Sequence, residues 1–294
     1  MTAATRTTSL LDTEPAAGNA EHLKAIVRET YALIAEQSFA DNATSCCGAT
    51  ASASSCGCGG DTASTIANIM NEDYSAVAGY VPDADLALGC GIPTGIAKIT
   101  EGATVLDLGS GAGNDVFVAR QLVGERGKVI GVDFTDAMIH KARLNAQRLG
   151  FNNVEFRKGD IEQMPVLDGE ADVIVSNCVL NLVPNKPRAF AEMFRVMASG
   201  GHFSISDIVL QGALPHTIQQ AAEMYAGCVA GAIQRDEYMT LLGQAGFINL
   251  RIAKERAITI PEEILLQYLT NAELAEFRAS GAAIVSITVY GEKA

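Results

Sequence analysis

Basic residues are scarce in this 294-residue chain: 21 Lys plus Arg stand against 34 Asp plus Glu, a formal net charge of -13. Such a surface repels nucleic acid and anionic membranes, so neither is an expected partner. Long apolar runs are missing too. No stretch reaches the roughly 18 residues that span a bilayer. The first twenty residues, MTAATRTTSLLDTEPAAGNA, lack the apolar centre of a secretory signal. These absences lead us to expect a soluble, cytoplasmic protein. Aromatic side chains are only 6% of the total, but 48% of residues are hydrophobic, enough over this length for one large domain or two. No internal repeat is visible.

A disulfide framework is also missing, although cysteine is not. Seven cysteines, an odd number in a chain without an export signal, argue against a disulfide scaffold. Four of them, Cys46, Cys47, Cys56 and Cys58, crowd one segment, whereas Cys90, Cys178 and Cys228 lie far apart. The distribution suggests two separate tasks.

Residues 1–19 are small, polar and aperiodic, and are expected to be disordered. From Glu21 to Phe39, Leu23, Ile26, Val27, Leu33 and Ile34 recur at helical spacing, predicting an amphipathic helix that docks on the rest of the protein. Residues 41–65 are Ala, Ser, Thr, Gly and Cys and bury too little to order themselves, so a flexible thiol-bearing loop is expected. From Thr104 onward short apolar strands alternate with helices. Strands are predicted at 104–108, 128–132, 154–157, 172–176 and 202–205, with two more at 249–253 and 284–290. Helices follow the first strand and cover 136–149 and 187–197. This alternation means an α/β fold, a doubly wound, mostly parallel seven-stranded sheet with helices on both faces. Residues 214–231 break the alternation and read as an insertion over the sheet mouth. Three regions result: 1–70 with the helix and cysteine-rich segment, 71–209 as the ligand-binding core, and 210–294 as insertion and completion of the sheet.

The turn after the first strand reads VLDLGSGAGNDV, with Gly109, Gly111 and Gly113 between strand and helix. Glycine permits close backbone approach to a ligand, and the helix start offers unpaired amides. Asp133, twenty residues past Gly113 at the end of the next strand, can accept both hydroxyls of a ribose. A nicotinamide enzyme would share this spacing, but the run is G-x-G-x-G, and Asp107 lies just before it. A carboxylate there suits a cationic sulfonium-bearing ligand better than a pyrophosphate. The pattern resembles motif I of class I S-adenosylmethionine-dependent methyltransferases, which have a Rossmann-like core. That resemblance implies S-adenosylmethionine as methyl donor. It points to Asp160 and Ile161, in GDIEQMP after the third strand, for the adenine with Glu162 beside them, and to Asn177 at the end of the fourth strand.

Ligands in such sheets bind beyond the C-terminal strand ends. Cys178 lies just past the fourth strand, Cys90 on the approach to the first, and Cys228 in the insertion, so all three are candidates for one cleft. Each could instead be a small buried hydrophobe. Three thiolates with His202 or His216 could also close a zinc site, whereas His22 and His140 look like helix-surface residues. The strings LGCG, SNCVLNLVP and GCVAGA, together with VLDLGSGAGND and SDIVL, resemble the arsenite methyltransferase family from about Tyr74 to Ile252, and again in SITVYGEK. The resemblance implies that Cys90, Cys178 and Cys228 bind trivalent arsenic, with arsenite and then methylarsenite as substrates. The family often has one more redox-active cysteine near the N-terminus. Cys46 and Cys47 are nearest in position here, and a thioredoxin-type or glutathione reductant is implied. Two other readings stay open at this point: a methyltransferase for a small organic acceptor, and a metalloid-binding protein without catalysis.

Overall fold

The computed structural model describes residues 17–37, 72–215, 229, 231–260, 262–266 and 269–294. Expectations about the disordered end before residue 17, the 41–65 loop, most of the 214–231 insertion, His216 and Cys46, Cys47, Cys56, Cys58 and Cys228 lie outside these residues. The chain builds a seven-stranded sheet in the order β3-β2-β1-β4-β5-β7-β6. Strands β1 (Thr104–Leu108), β2 (Lys128–Asp133), β3 (Val154–Lys158), β4 (Ala171–Asn177) and β5 (Met197–Gln211) pair in parallel, and β7 (Ala283–Glu292) runs antiparallel between β5 and the edge strand β6 (Ile248–Ile258).

The near-continuous apolar strands are explained by burial on both faces. Leu106, Leu108, Ile130, Val132 and Ile174 pack into one cluster with Phe190 and Met193 of α4 (Lys186–Val196) and Tyr238 and Leu242 of α5 (Arg235–Gln244). Val105, Val129, Val173 and Val175 turn the other way, onto Val116 and Phe117 of α2 (Asn114–Val123) and Ile139 and Ala142 of α3 (Asp136–Leu149). Each fully buried aliphatic side chain contributes about 1.5–3 kcal/mol relative to exposure. Local signals set the helix ends: Asn185 caps α4 through its side chain and Pro187 sits in the first turn, while Gly150 ends α3 in the left-handed conformation.

Three boundaries differ from expectation. Helix α1 (Ala17–Glu36) starts inside the stretch expected to be disordered and ends three residues before Phe39. β6 extends to Ile258, five residues past Ala253. β5 extends well beyond 202–205 at both ends, because it pairs with β4 at its start and with β7 up to Gln211. Gly200 N–H donates to the Lys293 carbonyl and the Gly201 carbonyl accepts the Lys293 N–H, so cross-strand hydrogen bonds carry the strand through both glycines. Among the described residues no helix is long and apolar enough to cross a membrane.

Candidate active site

The sheet reverses its winding between β1 and β4, and a cleft opens beyond their C-terminal ends, where ligands of doubly wound sheets bind. Its wall includes Asp107 from β1, Gly109, Ser110 and Gly111 from the turn, Asp133 from β2, Asp160 and Ile161 from the loop after β3, Asn177 at the end of β4, and Cys178 just past it. Most of the sequence-predicted donor residues therefore converge.

All three turn glycines have positive φ, at 67°, 50° and 101° for Gly109, Gly111 and Gly113. Their surroundings divide the labour. A Cβ on Gly109 would meet Val179 at 2.4 Å and one on Gly113 would meet Phe117 at 2.8 Å, whereas Gly111 has only Met138 Sδ near, at 3.9 Å. Gly111 is the glycine that leaves room on the cleft side. Its N–H donates to Asp133 Oδ2 at 3.0 Å, and Thr135 N–H donates to Asp133 Oδ1 at 2.8 Å, which holds the carboxylate at the cleft rim.

The electrostatics favour a cationic ligand. Burial, then the charges of Asp115 and Asp133, push the Asp107 carboxyl well above its ordinary range. Burial raises Asp115 to about 6 against the opposing hydrogen bonds from Asn177 and Tyr74, and raises Asp133 as well. A positive group entering the cleft would relieve this strain. Ser110 Oγ and Asn114 Oδ1, both on the cleft wall, are buried and have no hydrogen-bond partner among the described residues. Orphaned polar atoms beside mutually repelling carboxylates fit a cationic, hydroxyl-rich ligand such as S-adenosylmethionine.

Sequence reasoning missed Tyr74 and Asp115. The Tyr74 hydroxyl donates to Asp115 Oδ1 at 2.9 Å, and Asn177 Nδ2 donates to Asp115 Oδ2 at 3.1 Å. Asn177 lines the cleft, but its amide is turned into this network, with Oδ1 accepting the Cys90 N–H at 3.0 Å. Also missed was what α1 covers. Lys24 donates to Asp160 Oδ2 at 2.7 Å and lies 3.1 Å from Glu162, while Val27 and Tyr31 join the cleft wall. The only advance signal was the helix's amphipathic pattern, which said that it docks but not where.

Cys90 and Cys178 are both buried and share one cluster with Ile208, Leu210, Val229, Ala232, Ile258 and Ile284. Cys178 has φ 61°, a left-handed conformation that costs a non-glycine residue ~1–3 kcal/mol and is found at functional sites. Its N–H donates to Ser206 O at 2.8 Å. Val229, the residue after Cys228, belongs to the same cluster. Gly231 packs against the turn after Cys178 so closely that a Cβ would meet Asn181 O at 1.8 Å. The zinc expectation fails for His202. It lies near the start of β5, paired with Val173 and four residues before Ser206, about 13 Å from the strand ends at strand rise. There its Nε2 contacts Ala97 O and its ring stacks on Tyr290. His22 and His140 are exposed on helices, as expected.

The sheet order, the glycine turn and the acidic cleft define a class I S-adenosylmethionine-dependent methyltransferase. A methyltransferase domain model matches residues 99–246. The arsenite methyltransferase of Halobacterium salinarum is 39% identical over 93% of this chain and 67% of that protein. The human arsenite methyltransferase is 36% identical over 60% of this chain and 49% of its own length. The crystal structure of CrArsM, an arsenic (III) S-adenosylmethionine methyltransferase from Chlamydomonas reinhardtii, superposes with a TM-score of 0.58 at 35% identity, covering 70% of this chain and 67% of that one. The chain belongs to the arsenite methyltransferase family. It spans about half to two thirds of the length of these relatives.

Proposed function

We propose that this enzyme methylates trivalent arsenic, taking arsenite and then methylarsenite as substrates held by Cys90, Cys178 and Cys228. The observation that carries the reading is the meeting of Cys178 with two sites at once: it lines the donor cleft and packs in one buried cluster with Cys90 and Val229. Arsenite is largely uncharged at neutral pH, so the acidic surface does not repel it. Trivalent arsenic is soft and takes three thiolates in a pyramid with its lone pair at the apex.

S-adenosylmethionine, when bound, supplies an electrophilic methyl group on a positive sulfonium. The chain's own residues orient it: Asp133 for the ribose, Asp160 and Ile161 for the adenine, Gly111 for close backbone approach, and Asp107 with Asp115 for the positive charge. The arsenic nucleophile carries no proton, so no general base is required, and positioning supplies most of the catalysis, up to ~7–11 kcal/mol for a well-aligned pair. Forming the As–C bond with the lone pair formally oxidises arsenic to the pentavalent state, so two electrons must return from thiols before the next round. We assign that supply to Cys46 or Cys47 and an external thiol reductant, thioredoxin or glutathione. In this reading residues 1–70 carry the redox thiols, 71–209 hold the donor, and 210–294 complete the arsenic site.

The test is direct. Purified protein incubated with arsenite, S-adenosylmethionine and glutathione should yield methylarsenite and then dimethylated arsenic on chromatographic speciation. Unmethylated arsenite at the end of the incubation, with donor binding intact, would refute the substrate assignment.

A further inference from the structure

Cys90 lies in neither a helix nor a strand, yet its main chain is gripped on both sides by side chains from distant strands. Asn177 Oδ1, at the end of β4, accepts the Cys90 N–H at 3.0 Å, and Ser286 on β7 donates its hydroxyl to the Cys90 carbonyl at 2.7 Å. The grip continues at Gly91. Asn177 Nδ2 donates to its carbonyl at 2.8 Å, and a Cβ on Gly91 would meet Ser206 Oγ at 2.4 Å. Ser206 Oγ and Thr288 Oγ1 are 2.9 Å apart. In the antiparallel β5–β7 ladder Ser206 pairs with Thr288 and Ile208 with Ser286, so these four side chains share one face. Strand positions buried this deeply ordinarily hold Val or Ile. Here three of the four are hydroxyl residues, and they form the seat on which Cys90 and Gly91 rest.

Cys178 is held differently, through its own backbone bond to Ser206. Loosening Ser286 should therefore act on the Cys90 thiol more than on that of Cys178. Arsenite has three exchangeable positions and needs three thiols, whereas methylarsenite has two and needs only a pair. From this geometry we infer that Ser286, with Asn177 opposite, is a positioning residue for Cys90 and thereby sets the preference between arsenite and methylarsenite. The inference rests on the proposed reading of Cys90 as one of three arsenic ligands.

Ser286→Ala, Ser286→Val and Ser286→Thr test it in the full chain, the last two having the same shape with and without the hydroxyl. With Ala or Val, kcat/KM for arsenite should fall about fivefold, the worth of one buried hydrogen bond, while that for methylarsenite stays within about twofold. Thr should restore the arsenite value. Without arsenic present, N-ethylmaleimide labelling of the Cys90 peptide, relative to the Cys178 peptide, should speed up by about the same factor in Ala and Val and not in Thr. Equal losses on both arsenicals, an unchanged arsenite value, or failure of Thr to differ from Val would overturn the inference. If the wild-type protein methylates neither arsenical, it is the proposed function that falls, and the labelling experiment still decides whether Ser286 holds Cys90.

Discussion

Bond counting separates the three cysteines proposed to hold arsenic. Methylarsenite already carries one carbon, so only two positions remain for sulfur and one cysteine becomes dispensable. Cys178, at the cleft, and Cys228, one residue from the buried Val229, are the pair expected to serve both substrates. Cys90→Ser should therefore lose activity on arsenite but keep it on methylarsenite, and Cys178→Ser and Cys228→Ser should lose both, because serine is too hard and too basic to replace a thiolate. Assays of each variant with both arsenicals check this, and a Cys178→Ser protein that still turns over methylarsenite would contradict the pairing. On the donor side, Asp133→Ala should weaken S-adenosylmethionine binding by about 1.5–3 kcal/mol, the scale of charge-assisted hydrogen bonds, with arsenite binding nearly unchanged. Calorimetry giving equal donor affinity would remove Asp133 from the site. The glycines and Asp133 were legible because each is a local pattern with a mechanism, whereas the cysteine strings stood out only through a family resemblance. Tyr74 and Asp115 were not legible. Asp115 looks like an ordinary acid in the first turn of a helix, and its partners stand 41 and 62 residues away.

Among the elements, α1 carries the clearest dependence on context. Its buried residues Ile34 and Ala35 pack with Leu86, Ala112 and Met138, and its Lys24 ties down the loop after β3 through Asp160 and Glu162. Desolvation by itself would lower the Lys24 ammonium, but the hydrogen bonds and charges of Asp160 and Glu162 together raise it above the ordinary range. Lys24→Ala should raise amide exchange across residues 17–37 and weaken donor binding about two- to fivefold, the ~0.5–1 kcal/mol of a partly exposed ion pair. Faster exchange with unchanged donor affinity would mean that the helix covers the cleft without contributing to it. A helix of this kind is visible in sequence from its periodicity alone, but its docking partner is not, because amphipathicity specifies that a face is buried and not against what. The same limit shortened β5 in the sequence reading. Its extra length comes from pairing with β4 at its start and, toward Gln211, with β7, which lies about eighty residues further along the chain.

At the scale of the whole molecule, the buried acids make stability depend on pH. Burial raises Asp207 to about 7, against the lowering effects of Lys186 and of hydrogen bonds including that from Tyr238, and Asp115 to about 6; Asp107 is raised as well. Each binds its proton more tightly folded than unfolded, so its contribution is greatest while protonated and is lost as pH rises through the folded value. Glu155 and Glu170 work in the opposite direction. Hydrogen bonds from Arg157 hold both at about 2, so the stability they add is lost only in acid below the ordinary carboxylate range. The Tm of the ligand-free protein should thus fall from about pH 5 to about pH 8, and Asp207→Asn, which mimics the protonated acid, should flatten the upper part of that fall. A Tm that rises across this interval would exclude the buried acids as its cause. A cationic donor favours ionised Asp107 and Asp115, so its binding should release protons, measurable by calorimetry in buffers of different ionisation enthalpy. The sequence by itself determined the class of fold and the donor turn with its acidic partner, since these depend on periodicity and on residues adjacent in the chain, and it singled out the three cysteines through a family resemblance. Only the tertiary structure decided that Asn177 and Ser286 grip Cys90, that Asp115 and Tyr74 join the donor cleft to the cysteine cluster, and that His202 sits at the wrong end of the sheet. The physical reason is that strand order and register set which distant residues meet, and a run of apolar strands specifies burial without specifying its neighbours.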